Sequence, residues 1–184
     1  MKKSLFIPLL CGLSFVYTAC DEYDDTYKGY DCLLNWIQDY DSILEMSNEE
    51  EKLYERIELW NEIEGIFDIN NEKNVYWKES SVRAKANAEF RLGNEEKATK
   101  IIEDYLKIKP EWTWGYIEMA DWYLDKRDKK HYDLERAKEI LLRAENIKGI
   151  EEVDVVLERL WDIYKELNDK ENVKIYATKM NIEE

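Results

Sequence analysis

Only six glycines and two prolines punctuate the 184 residues, and that scarcity is what most constrains the fold. Hairpin turns, collagen-like repeats and phosphate-cradling loops depend on these residues, because glycine supplies positive φ without steric cost and proline pre-sets a turn. What remains is dominated by Glu, Lys, Leu, Ile and Tyr, and an all-α chain is the expectation. Its length suits one compact unit or a short repeat array with a core of useful size. An apolar content of 45%, with seven Trp and thirteen Tyr, is more buriable surface than a disordered acidic tail carries. Forty-two acidic against 27 basic residues give a formal charge of −15. A polyanion of that size repels a phosphate backbone instead of releasing its counterions, so nucleic acid is excluded as a partner.

Apolar periodicity places the helices. Tyr30, Leu33, Leu34, Ile37, Tyr40, Ile43 and Leu44 share a stripe that ends near Met46. Ser47 with Glu50 three residues later has the spacing of a capping box, in which hydroxyl and carboxylate each satisfy the other's orphan backbone donor. A second helix therefore starts there, carrying Leu53, Ile57, Trp60 and Phe67 inward, and a polar connection follows over residues 68–74. A third helix is predicted over residues 75–92, closed by Gly93. Asn94 then caps the next, which Ala98, Ile101, Ile102 and Tyr105 stripe up to Pro110.

The first 20 residues admit two readings. Lys2 and Lys3, an uncharged stretch to Ala19, and then Cys20 have the outline of an export signal with a lipidated cysteine. Thr18 and Ala19 fit that pattern and Tyr17 does not. The competing reading is an amphipathic opening helix, with Leu5, Ile7, Leu9, Leu10 and Leu13 facing inward. Cys11, Cys20 and Cys32 form no C-x-x-C pair, so no disulfide framework is implied. The organisation expected is an N-terminal segment or signal over residues 1–28, a helical pair over 29–74 and repeats over 75–184.

The repeats rest on spacing. Ala86 and Ala120 lie 34 residues apart, each a small residue in the middle of an aromatic-rich helix. Small side chains are needed where paired helices approach closely. Gly93, Ala98 and Pro110 sit at turn, second-helix and terminal positions of such a unit. Tyr116, Met119, Ala120 and Tyr123, then Ala137, Leu141 and Ala144, form a second unit. Its connection, DKRDKKHYD, is longer and carries Lys126, Arg127, Lys129 and Lys130. Val155, Leu157, Leu160, Trp161 and Tyr164, followed by ENVKIYATKM, form a third, degenerate unit. This pattern resembles tetratricopeptide repeats (TPRs) over roughly residues 75–180. The segments YKGYDCLLNWIQDYD and LGNEEKATKIIEDYLKIKPEWTWGYIEMADWYL further resemble a group of small bacterial repeat proteins, some carrying a zinc-binding SEC-C motif. The resemblance implies an α-α superhelix of antiparallel helix pairs, a short right-handed solenoid. It also places Cys20 inside the folded domain of a cytoplasmic protein. The C-x-C and H-C ligands of the zinc tail do not occur, so no metal carries over.

Nothing in the sequence supports catalysis. His131 stands in a charged loop with no second ligand at metal-binding spacing, and is expected to be a surface histidine. Asp21, Glu22, Asp24 and Asp25 lack the glycine and terminal glutamate of a calcium loop. Neither a nucleophile elbow, a P-loop nor a dinucleotide fingerprint is present. Trp77, Trp112, Trp114, Trp122 and Trp161 are expected to pack between helices. In repeats of this kind the first helices line a concave groove, here presenting Ser80, Arg83, Asn87 and Arg91, then Trp114, Ile117, Asp121 and Asp125. Arg83 and Asn87 resemble the start of a carboxylate clamp, but Glu118 and Asp121 stand where further donors are wanted. The expected function is a non-enzymatic scaffold, without cofactor or metal, that binds a protein or peptide through Arg83, Asn87, Arg91, Trp114, Ile117 and Asp121. The alternative is an exported lipoprotein serving an envelope or glycan-related system, with membrane contact only through a lipidated Cys20.

Overall fold

In the computed structural model, residues 27–66 and 74–182 are described. The expectations for residues 1–26, including Cys20 and the acidic run after it, lie outside them, as does Phe67. The described residues form eight helices and no strand: α1 (Tyr27–Met46), α2 (Glu50–Ile66), α3 (Val75–Arg91), α4 (Glu95–Leu106), α5 (Thr113–Asp121), α6 (Leu134–Glu145), α7 (Val153–Glu166) and α8 (Lys170–Lys179). None of them is long and apolar enough to cross a membrane. Packing divides the chain at Leu92/Gly93 into two units, a boundary that falls between the two helices assigned by spacing to the first repeat.

The first unit packs α2 against both α1 and α3. Its core is Ile37, Leu44, Leu59, Trp60, Ile63, Trp77 and Ala84, with Trp36 and Tyr40 laid against it. Ile37 and Leu44 are seven residues apart and both 1% exposed, whereas Ile43, expected on the same stripe, is 64% exposed. One residue is a 100° step around a helix, so a side chain adjacent to a core position points away from it. The junction of α1 and α2 also differs from the expected capping box. The Ser47 amide donates to the Leu44 carbonyl at 3.2 Å, and the Ser47 hydroxyl accepts from the Glu49 amide at 3.2 Å. The Ser47 amide that Glu50 was to satisfy is therefore already engaged.

A charged knot joins the three helices of this unit. Arg56, only 3% exposed, donates through Nε and one terminal nitrogen to the two oxygens of Asp41 at 2.8 and 2.9 Å. Its other terminal nitrogen reaches Asn87 Oδ1 at 2.9 Å. Trp60 Nε1 adds a 2.6 Å bond to Asp41 Oδ1. Fork-to-fork pairing of guanidinium and carboxylate is the strongest arrangement such groups can adopt. One side chain of α2 thus ties α1 to α3.

In the second unit α6 packs on α5 and on α7, and α7 on α8. Ala98, Ala120, Ala137 and Ala144 are each fully buried, which places the small residues at contact seams as their spacing predicts. Asp133 and Asp169 cap α6 and α8, accepting from the Arg136 and Asn172 amides at 3.0 and 3.1 Å. Trp112 is fully buried and meets Tyr105 edge-on, with ring centroids 4.8 Å apart. The loop before α5 is laced to the loop before α7. The Glu151 amide donates to the Glu111 carbonyl at 2.9 Å, and Lys109 pairs with Glu151 at 3.0 Å.

Gly115 is required by close approach. A Cβ there would lie 2.7 Å from the Trp112 ring and 3.2 Å from Ile102 Cγ2. Overpacking costs about 1–3 kcal/mol, and alanine's helix propensity returns no more than about 1 kcal/mol. Gly115→Ala is therefore expected to lower stability by about 1–2 kcal/mol in thermal or urea unfolding. Gly65→Ala is expected to cause no loss, since nothing lies within 4 Å of its Cβ position. Equal behaviour of the two variants would contradict this packing.

Candidate functional site

The second unit carries an open cleft between α4 and α6, floored by α5. It comprises two adjoining hollows of about 330 Å³ each. The first is lined by Gly93, Glu95, Tyr123, Lys130, His131, Tyr132, Asp133 and Arg136. The second is lined by Thr99, Glu103, Met119, Trp122, Tyr123, Arg136, Glu139, Ile140 and Arg143.

Two equivalent stations span the cleft. At one, Arg136 pairs with Glu95 at 2.5 Å and lies over the Tyr123 ring, 4.3 Å from its centroid. At the other, Arg143 pairs with Glu103 at 2.6 Å and lies over the Tyr116 ring at 5.1 Å. The pairing order means that α4 and α6 run in the same direction and α5 runs against both. Two turns of α6 separate the stations by about 10 Å. Each guanidinium combines an ion pair with a cation–π contact, which fixes its plane and orientation.

At the first station the surroundings keep the Glu95 carboxylate charged and the Tyr123 hydroxyl protonated. Burial raises the Glu95 carboxyl, but hydrogen bonds from Tyr123 and Arg136, with the charges of Arg136 and His131, hold it below the usual carboxylate range. Burial, aided by the bond to Glu95, pushes the Tyr123 hydroxyl up to about 12. The Tyr123 proton therefore stays in place and donates to Glu95 at 3.0 Å. Neither group is poised near neutrality, as a general acid or base would need to be.

The loop at one end of the cleft is tied down from several sides. Lys126 pairs with Glu166 at 2.7 Å, and Tyr132 also donates to Glu166. Arg127 folds back on Asp125 at 2.9 Å. His131, expected at the surface, has a side chain only 17% exposed, with Nδ1 2.6 Å from Asp128. The Asp133 amide donates to the Tyr123 carbonyl at 2.9 Å, which holds the loop against the segment just after α5. Among the described residues, no group of three or more His, Cys, Asp or Glu could hold a metal ion.

The residues expected to line a first-helix groove have separate fates. Arg83 is part-exposed on α3. Asn87 accepts from Arg56 at 2.9 Å inside the first unit. Arg91 donates to the carbonyls of Glu45 and Ser47 and to Asn48 Oδ1, the last at 2.8 Å, and so clamps the α1–α2 turn. Trp114 is part-exposed on α5, and Asp121 pairs with Arg159 of α7 at 3.3 Å. Ile117 is 1% exposed; it belongs to the interior of the second unit and cannot present a surface, because it follows the fully buried face of α5. Trp77, Trp112 and Trp122 are buried as expected, whereas Trp114 and Trp161 are intermediate.

Sequence reasoning missed the α4–α6 cleft. The signal was present in paired offsets: Glu95 and Glu103 eight residues apart on one helix, Arg136 and Arg143 seven apart on the other. Comparison with known proteins adds nothing to this geometry: no family model, no curated protein and no solved structure matches the chain.

Proposed function

We propose that the chain is a non-enzymatic, TPR-like helical scaffold that binds a segment of a partner protein, with the α4–α6 cleft as its principal contact surface. The observation that carries this reading is the pair of Glu–Arg–Tyr stations. Their charges are already formed, oriented and half-exposed, with Arg136 and Arg143 side chains each 48% exposed. Such an arrangement costs little to organise at the moment of binding, which is where preorganised surfaces gain affinity. An enclosed small-molecule site would instead be mostly apolar and shielded from water. The buried alanine seams support a stack of helical hairpins, the architecture in which repeat proteins present extended binding faces.

The test is affinity capture from the native proteome using wild type and Ile140→Arg, with circular dichroism to establish equal helicity. Wild type should retain a partner reproducibly, and the variant should lose it by about tenfold or more, the effect of truncating a central interface contact. A wild-type chain that retains nothing, or retention unaltered by Ile140→Arg, would remove the cleft from the account.

A further inference from the structure

Of the four charged side chains that line the second hollow, one belongs to neither station. Glu95 is neutralised by Arg136 and Glu103 by Arg143, but Glu139, exposed on α6 between the two arginines, has no hydrogen-bond or ion-pair partner among the described residues. It stands beside Ile140, above a floor made by Met119 and Trp122. Met119 is 3% exposed and Trp122 5% exposed, so the floor is formed by the edges of two otherwise buried side chains. Trp122 is further fixed by its Nε1 bond to Glu118 at 3.1 Å.

A hollow with an apolar floor, and with one carboxylate at its edge that no arginine already neutralises, matches one kind of side chain, a long aliphatic stem ending in a cation. Lys and Arg lay their methylenes on apolar surface while the head seeks charge. We propose that the hollow around Glu139 is the receptor for a lysine or arginine of the partner segment, with Met119, Trp122 and Ile140 holding the stem and Glu139 the head. The inference rests on the scaffold reading and names the chemistry of its ligand. The formal charge of −15 points the same way. A field of that sign accelerates encounter with a cationic segment and repels an acidic one. The arginines do not oppose a second cation, because each is compensated across the cleft.

The test uses three small probes of equal stem length: n-butylammonium, 1-butanol and n-pentanoate. Each is titrated into the full chain at about 0.15 M salt, where diffuse attraction is screened. The readout is the NMR shift of the Trp122 indole and of the Ile140 and Met119 methyl groups. Only n-butylammonium should move these signals together, and Glu139→Gln should weaken its binding about fivefold to tenfold, the loss of one charge-assisted contact. An equal response to 1-butanol would reduce the hollow to an apolar patch. No response to n-butylammonium, shifts spread across the acidic surface, or affinity unchanged in Glu139→Gln would overturn the inference. Capture experiments separate it from the reading beneath. Undiminished capture by Glu139→Lys would sink the cation receptor and leave the scaffold standing. The expected NMR response from a chain that captures nothing would sink the scaffold and leave the cation site.

Discussion

Replacing Arg56 with alanine is expected to cost the first unit about 3–5 kcal/mol, the range for removing one partner of a buried ion pair. The loss is large because of what stays behind. The Asp41 carboxylate, whose side chain is 16% exposed, keeps its bond from Trp60 but loses both guanidinium donors. Asn87 Oδ1, on α3, loses the Arg56 donor as well. The contact with Glu45, whose side chain is 52% exposed, contributes little, since solvent screens it. Arg56→Lys keeps the charge but not the fork that fits Asp41, and should fall between alanine and wild type. Urea unfolding followed by hydrogen exchange on α1, α2 and α3 measures the effect and locates it. A change below about 1 kcal/mol, the size of a surface pair, would show that the knot is not what holds these helices together.

Trp112→Ala is expected to destabilise the second unit by about 3–5 kcal/mol, through lost transfer energy and the cavity left behind. The indole is fully buried, edge-on to Tyr105, and roofed by Gly115, whose missing Cβ makes room for it. Trp112→Phe should be far milder. Trp112 Nε1 is buried without a hydrogen-bond partner among the described residues, so phenylalanine gives up ring volume but also removes an unsatisfied donor worth about 1–3 kcal/mol. Urea unfolding of the three proteins decides the matter. Comparable losses for alanine and phenylalanine would contradict both the unpaired Nε1 and a contribution that scales with ring bulk.

How much of this was legible in the residues varies from helix to helix. The helices are written locally. Val75–Arg91 and Glu95–Leu106 begin and end within a few residues of where periodicity and capping signals place them. The buried alanines are equally legible, because a small residue among large ones in the middle of a helix has few other uses. Errors arise where a position sits at the margin of a stripe. Ile43 and Ile117 are both isoleucines within helices, yet the former is 64% and the latter 1% exposed. Helical spacing gives the angle of a side chain around its own axis, but not how wide a sector the neighbouring helices cover. Ser47 shows the same limit at a helix end, since the capping box assumes a free amide that the end of α1 has already engaged.

The sequence by itself determined that the chain is helical, where most helices lie, and which small residues fall at their seams, because each of these depends on contacts within a few turns of one helix. Only the tertiary structure decided which charges meet. Arg56 joins Asp41 and Asn87 from a different helix each, and Glu95 and Glu103 find Arg136 and Arg143 some 40 residues along the chain. In a chain with 42 acidic and 27 basic residues, many such pairings are possible on paper. Selection among them follows from the packing of apolar faces, which brings particular helices side by side. That selection left Glu139, at the edge of the cleft, without an ion-pair partner among the described residues.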